Sequence, residues 1–231
     1  MRHHIFTDHS DQYPVALLFK HTSFSKKDIE SSYLDYLNSC GIAKEDVIAL
    51  TLAYNESGKA PASFIKEYLG KLLKSLEHLG TTHLYVTDAA YFKVLAGMPK
   101  ADPHHGYALS CKIKGYEHMT VVLGVNYQQL IYNPTLHERL KLSMDTLASS
   151  VQGTYQDPGS GIIHSAQYPQ GYVAIQEALQ GLHQYPSLAC DIEAFSLKFN
   201  EAGIGTVAFA WDQHNGVASA VDYLALPQPD N

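Results

Sequence analysis

The feature that leaves this chain least freedom is a repeated change of period along residues 1–150. Short apolar runs without a polar face alternate there with longer segments whose apolar residues recur every three to four positions. "YPVALLF" (13–19), "EDVIALTLAY" (45–54) and "THLYVTD" (82–88) are too short for stable helices and have no polar side, so each reads as a strand covered on both faces. Between them, "SKKDIESSYLDYLNSCGI" (25–42) places Ile29, Tyr33, Leu34 and Leu37 on one helical stripe with Gly41 as a C-cap. "PASFIKEYLGKLLKSLEHLG" (61–80) is a strongly amphipathic helix with Pro61 near its start and Gly80 at its end. "AAYFKVLAG" reads as a short helix, "YALSCKI" and "MTVVLGV" as two more strands, and "TLHERLKLSMDTLASS" as a closing helix. This order predicts an α/β unit with a mostly parallel sheet and helices on both faces. Function in such units gathers in the loops beyond the strand C-termini.

Composition excludes several classes. With 231 residues, 45% hydrophobic and 17% charged, and no block of like charge, the chain can bury a core and is not a disordered tail. No apolar run approaches the ~20 residues needed to span a bilayer, and "MRHHIFTDHSDQYPVALLF" lacks the apolar region and cleavage site of a signal peptide. The expectation is a cytoplasmic protein without a membrane partner. Cys40, Cys111 and Cys190 are odd in number and lack CxxC spacing, which suits reduced thiols rather than a disulfide frame or zinc site. The thirteen histidines include the adjacent pairs His3–His4 and His104–His105, not the i, i+4 spacing that would bring two imidazoles to one metal.

The net charge of −7 is unevenly placed. Residues 1–150 carry fifteen basic and fifteen acidic side chains, whereas residues 151–231 carry only Lys198 against eight acids. The turn-rich passage around Asp157-Pro158-Gly159 makes 151–170 a linker between a first unit, 1–150, and a second, 171–231. In the second unit "GYVAIQEALQGLHQY" (171–185) is a helix with Val173, Ile175, Ala178, Leu179 and Leu182 on its apolar side. "PSLACDIEAFSL" (186–197) then places Asp191 and Glu193 on one face of a strand, about 7 Å apart, with Cys190, Ile192 and Ala194 on the other. Two carboxylates so spaced on a rigid strand are the hard oxygen ligands that metal-dependent phosphodiester hydrolysis requires. The same pair also fits a solvated edge of an unrelated α/β domain. "GIGTVAFAWD" and "GVASAVDYLAL" read as two further strands, with Asn215-Gly216 as a tight hairpin turn. Asp212 and Asp222 have no assigned role.

The course of the first unit resembles the uracil-DNA glycosylase superfamily over residues 13–150. The carrying segments are "FIKEYLGKLLKSLEHLG", "THLYVTDAAYFKVLAG", "GYALSCKI" and "MTVVLGVNYQQLIYNPTLHERLKLSMDTL". That resemblance implies a three-layer glycosylase-like sheet with helices on both faces. It is a resemblance of layout, not of chemistry. "FKHTSFSKKD" (19–28) has no glycine where the family has a Gly-rich water-activating loop. Asn126, Tyr127 and Gln128 stand where it has a His-Pro-Ser type loop. The expectation is a non-catalytic module that contacts DNA or a protein partner.

The D-x-E strand, with a helix before it and two hairpin strands after it, resembles the first motif of the DEDD 3′–5′ exonucleases, of ribonuclease H-like fold. This implies Asp191 and Glu193 as ligands of Mg²⁺ or Mn²⁺ in a segment of one helix and three strands that is incomplete here. The family's further aspartates and proton acceptor lie beyond the third strand.

Together the two units resemble the N-terminal part of a bacteriophage-type family A DNA polymerase. The resemblance implies a phage-encoded protein acting in a bacterial host cell, with single-stranded or primer-template DNA, the remainder of the polymerase and a replication protein as partners. Lys20, Lys26, Lys27, Asn126 and Tyr127 are then candidate DNA or phosphate contacts, with Lys59, Lys66, Lys71 and Lys74 as a further basic stripe that reads equally as a solvated face. A stand-alone uracil-DNA glycosylase-like repair protein, or a small nuclease completed by dimerisation, remain alternatives.

Overall fold

The structure, a computed structural model, describes residues 2–8, 10–196 and 203–221. Its contacts divide into two units, Met1–Pro158 and Gly159–Asn231. In the first unit the elements run β1 (His3–Ile5), β2 (Val15–Lys20), α1 (Lys26–Ile29), one π-helical turn (Glu30–Leu34), α2 (Asp35–Ser39), β3 (Val47–Leu52), α3 (Ala62–His78), β4 (His83–Val86), α4 (Ala89–Ala96), β5 (Ala108–Ser110), β6 (Thr120–Leu123), α5 (Tyr127–Tyr132) and α6 (His137–Val151). The sheet order is β1-β3-β2-β4-β6-β5. β3, β2, β4 and β6 are parallel, while β1 and β5 close the two edges antiparallel.

β2 shows why its sequence lacks alternation. Val15, Leu17 and Phe19 join a core with Ile29, Tyr33, Leu37, Met144 and Leu147, while Ala16 and Leu18 join a second core with Leu69, Leu73, Tyr91 and Phe92. Both faces are therefore apolar because both are roofed by helices. α3 follows the pattern read from its sequence: Ile65, Leu69, Leu72, Leu73 and Leu76 are each 1% exposed or less. Each such side chain contributes on the order of 1.5–3 kcal/mol by leaving water. Gly80 ends the segment at φ +67°, a left-handed conformation that glycine adopts without strain.

The second unit comprises β7 (Ser165–Gln167), α7 (Tyr172–Gly181), β8 (Ala189–Ala194), β9 (Ile204–Ala210) and β10 (Asn215–Ala220), with sheet order β7-β10-β9-β8. β8, β9 and β10 form an antiparallel meander and β7 runs parallel to β10. The chain is thus a mixed α/β protein with one mixed sheet in each unit.

Several expectations need correction. The stretch expected as a linker, 151–170, contains the division between the two units and is structured on both sides of it. The Tyr155 hydroxyl accepts from the Ala108 N–H at 3.1 Å, which ties it to the first unit, and β7 adds a strand to the second sheet. "VNYQQLIYNP" is not a loop, because Asn126 caps α5 in a capping box with Gln129. Asn215 and Gly216 lie in β10 and not in a hairpin turn. A Cβ at Gly216 would stand 2.9 Å from the Phe209 carbonyl oxygen, so glycine serves close approach of two strands there. The apolar side expected of the helix over 171–185 is only partly covered: Leu182 is buried and Ile175 and Ala178 are half-buried, but Val173 is 66% and Leu179 38% exposed. Among the described residues of this unit only Leu182, Val217 and Ser219 are buried, because one ten-residue helix covers little of one sheet face. The last part of the strand expected over 216–226, with Asp222, and Lys198 lie outside the described residues.

Three histidines of the first unit, His4, His83 and His105, have pKa values pushed below 6.5, in each case chiefly by burial. A depressed imidazole pKa means that the unfolded chain takes up protons first as pH falls through 6.5, so stability is present above that value and is lost below it. Of these, His83 contacts Ser150 Oγ through Nε2 at 3.2 Å. We expect His83→Gln, which keeps a polar contact but cannot titrate, to lose less melting temperature than the parent between neutral and mildly acidic buffer. Parallel acid losses in the two proteins would show that His83 is not responsible.

Candidate functional site

The chain passes from β2 to β3 on one side and then crosses to β4 on the other, so strand order reverses at β2. Such a reversal parts the loops beyond the strand C-termini and leaves a crevice. Here the crevice is a cavity of about 220 Å³ lined by Lys20, Thr22, Thr87, Asn126, Gln128, Gln129 and Tyr132. Lys20 is the last residue of β2, Thr87 follows β4, and Asn126 begins α5 after β6. These three positions are therefore fixed by the ends of parallel strands, while Thr22 lies in the turn after β2 and Gln128, Gln129 and Tyr132 lie on α5.

Asp88 stands beside this crevice and is 6% exposed. Its Oδ1 accepts from the N–H groups of Ala90 (2.9 Å) and Tyr91 (3.1 Å), capping α4. Its Oδ2 accepts from the Tyr54 hydroxyl at 2.9 Å and lies 3.3 Å from the Lys20 ammonium. Burial, and then the Asp88 charge, push the Tyr54 phenol far above its usual range, so it stays a donor. Lys20 also lies 5.5 Å from the Tyr54 ring centroid, while its side chain remains 48% exposed. The ammonium is held at the crevice mouth without being buried.

The opposite wall is held by hydroxyl groups. Asn126 donates to Ser23 Oγ at 2.6 Å, across 103 residues, and accepts from the Gln128 N–H at 3.0 Å. The Tyr33 hydroxyl donates to the Val125 carbonyl and accepts from the Tyr127 N–H, each at 2.7 Å, so it clamps the peptide groups on both sides of Asn126. Burial raises the Tyr33 phenol well above its usual range, and it too remains a donor. The π-helical turn places Tyr33 at 0% exposure for this role.

Of the residues expected to meet phosphate, Lys20 and Asn126 share this cavity. Lys26 and Lys27 are exposed at the start of α1, with Lys26 Nζ 5.9 Å from the Phe6 ring centroid. Tyr127 is committed to structure on both sides: its hydroxyl donates to Asp28 at 3.3 Å and its ring meets Tyr33 edge-on at 6.3 Å. The lysines of α3 lie on its exposed face, where Lys71 pairs with Glu67 at 3.4 Å. Sequence reasoning missed Thr87, Asp88, Gln129 and Tyr132. The signal available was their place just past an apolar run or in the first turns after it. On α5 the lining residue Tyr132 is 88% exposed and its neighbour Ile131 74%.

The cavity offers one cation, hydroxyls and amides, and among the described residues no carboxylate or imidazole lines it. The nearby Asp88 carboxylate is spent on a helix cap, a tyrosine and a lysine. The arrangement can bind an anionic or polar group.

In the second unit β8 carries Asp191 and Glu193, both exposed, at the sheet edge. Their cross-strand neighbours are Ala208 and Thr206, followed on β10 by Ala218 and Ala220. The acid face is thus a field of small side chains, open to a ligand. By type the pair fits a hard divalent cation, yet among the described residues no group of three or more His, Cys, Asp or Glu could hold a metal ion. Cys40, Cys111 and Cys190 are free thiols.

No protein-family model matches the chain, and no curated protein matches it. No helix among the described residues is long and apolar enough to cross a membrane.

Proposed function

We propose that this chain is the N-terminal region of a bacteriophage-type family A DNA polymerase, acting on DNA in the cytoplasm of a bacterial host. In this reading the first unit is a non-catalytic glycosylase-like module that contacts DNA or a replication partner. The second is the opening of the 3′–5′ exonuclease, with Asp191 and Glu193 as ligands of Mg²⁺ or Mn²⁺. The observation that carries it is the order α7, then β8 with both acids on one face, then β9 and β10 in antiparallel succession. When bound, such cations neutralise phosphate charge for phosphodiester hydrolysis. The protein's own part is to present two carboxylates on a braced strand beside small residues that leave room for a nucleic acid strand. In the first unit Lys20 supplies charge at a crevice walled by amides, and Lys26 and Lys27 extend that charge along the neighbouring loop.

Binding of a fluorescent single-stranded oligonucleotide tests the DNA reading. With three phosphate contacts, and a slope of about 0.7 per contact, affinity should fall roughly twentyfold between about 50 and about 200 mM salt. The combined Lys20→Ala, Lys26→Ala and Lys27→Ala variant should lose most of that slope. Binding that ignores salt would sink the proposal. The same chain should leave uracil-containing DNA intact to alkaline cleavage, and stoichiometric scission would favour a stand-alone glycosylase instead.

A further inference from the structure

A cavity of about 570 Å³ in the second unit has an aromatic wall and one charged residue. Tyr168, Pro169, Tyr185 and Trp211 line it together with Leu182, which is buried, and Glu177. Tyr185 and Trp211 stack with centroids 5.0 Å apart and planes inclined by 7°. Tyr168 is 71% exposed, so a third ring stands free at the mouth. Such a surface is too polar at Glu177 for a purely apolar ligand and repels an anion. Aromatic faces are electron-rich and attract cations, most strongly at tryptophan.

The charge around the cavity points the same way. Residues 159–231 hold seven acidic side chains and a single basic one, Lys198. No lysine or arginine occurs among the described residues of the unit, so none of them can pair with the Glu177 carboxylate. We propose that this cavity receives an arginine side chain from a partner protein, its guanidinium stacked on the aromatic wall and its forked N–H groups directed at Glu177. Arginine fits better than lysine because its flat ion both stacks on rings and donates two parallel hydrogen bonds to a carboxylate. The proposal does not depend on the DNA reading of the first unit or on the metal reading of β8.

Trp211 is the single tryptophan of the chain, so its emission reports on this cavity alone. The probe is the peptide acetyl-Ala-Ala-Arg-Ala-Ala-amide, titrated into the full 231-residue protein. A saturable change in emission is expected. The same peptide with citrulline, which keeps the shape and lacks the charge, should bind at least about tenfold more weakly. Glu177→Gln, at an exposed helix position where folding should be unaffected, should weaken the arginine peptide several-fold. Tyr185→Phe should leave binding nearly intact, since the ring and not the hydroxyl is used. Equal binding of the citrulline peptide, or an unchanged affinity in Glu177→Gln, would overturn the proposal. Tighter binding of a lysine peptide would overturn the assignment to arginine.

Discussion

Alanine at Asp191 is expected to abolish 3′-end digestion in a polypeptide that carries this chain together with the remaining exonuclease motifs, lowering turnover by at least about a hundredfold. The expectation rests on the proposed exonuclease reading of this strand. Asp191 and Glu193 project from one face of β8, both exposed, with Ala208 and Thr206 as cross-strand neighbours. Neither neighbour offers a positive charge, so two like charges about 7 Å apart repel until a cation arrives. In the 231-residue chain, Mn²⁺ should therefore raise the melting temperature of the second unit slightly. Asp191→Asn should raise it without metal and remove the response. The effect is small because one or two carboxylates hold such ions weakly. Under the proposed reading, which takes the remaining ligands from the further exonuclease motifs, digestion by the 231-residue chain alone should be undetectable. Undiminished digestion by the longer Asp191→Ala variant would make both acids merely structural.

Replacing Gly124 by alanine should be the most damaging single methyl group in the first unit. A Cβ there would lie 2.3 Å from Cε1 and 2.5 Å from Cζ of Tyr85. The Tyr85 ring cannot retreat: it is 0% exposed, and its hydroxyl is held by Ser143 Oγ at 2.7 Å and by the Val125 N–H at 3.3 Å. Moving it would loosen the clamp beside Asn126 as well as the core. Overpacking of this kind costs about 3 kcal/mol, which for a unit of this size lowers the melting temperature by roughly 6–12 °C. Gly70 provides the contrast. It is exposed on α3 with nothing within 4 Å of a built Cβ, so Gly70→Ala should stabilise by about 0.5–1 kcal/mol. Thermal melts of the two variants decide the matter, and a Gly124→Ala protein that melts with the parent would refute the packing argument.

Local chemistry that agrees with its surroundings was legible. α3 announces itself by five leucine and isoleucine positions on one stripe, and β2 by a run too short and too apolar to be anything but a covered strand. β1 was not legible, because "HHI" has no pattern of its own and becomes a strand only by pairing with β3. α5 was obscured by Asn126, whose value as a cap depends on Gln129 reaching back to its N–H at 3.2 Å. Asn215-Gly216 misled for a related reason. The dipeptide favours a turn locally, yet Asp212 already closes the turn by accepting from the His214 N–H at 2.7 Å, and Gly216 is needed where two strands meet.

Period and charge, which are properties of neighbouring residues, determined the α/β alternation of the first unit, the common face of Asp191 and Glu193, and the acidity of the second unit. Strand order was decided only in three dimensions, because periodicity states which side of a strand is apolar and not which strand lies beside it. Seating β2 between β3 and β4 is what opens the crevice and brings Lys20, Thr87 and Asn126 to it. The same holds for the Asp88 carboxylate, shared among a helix cap, Tyr54 and Lys20, and for the stack of Tyr185 on Trp211. Apart from the cap, such contacts join residues far apart in the chain. They exist only once packing has paid the entropy of bringing those segments together.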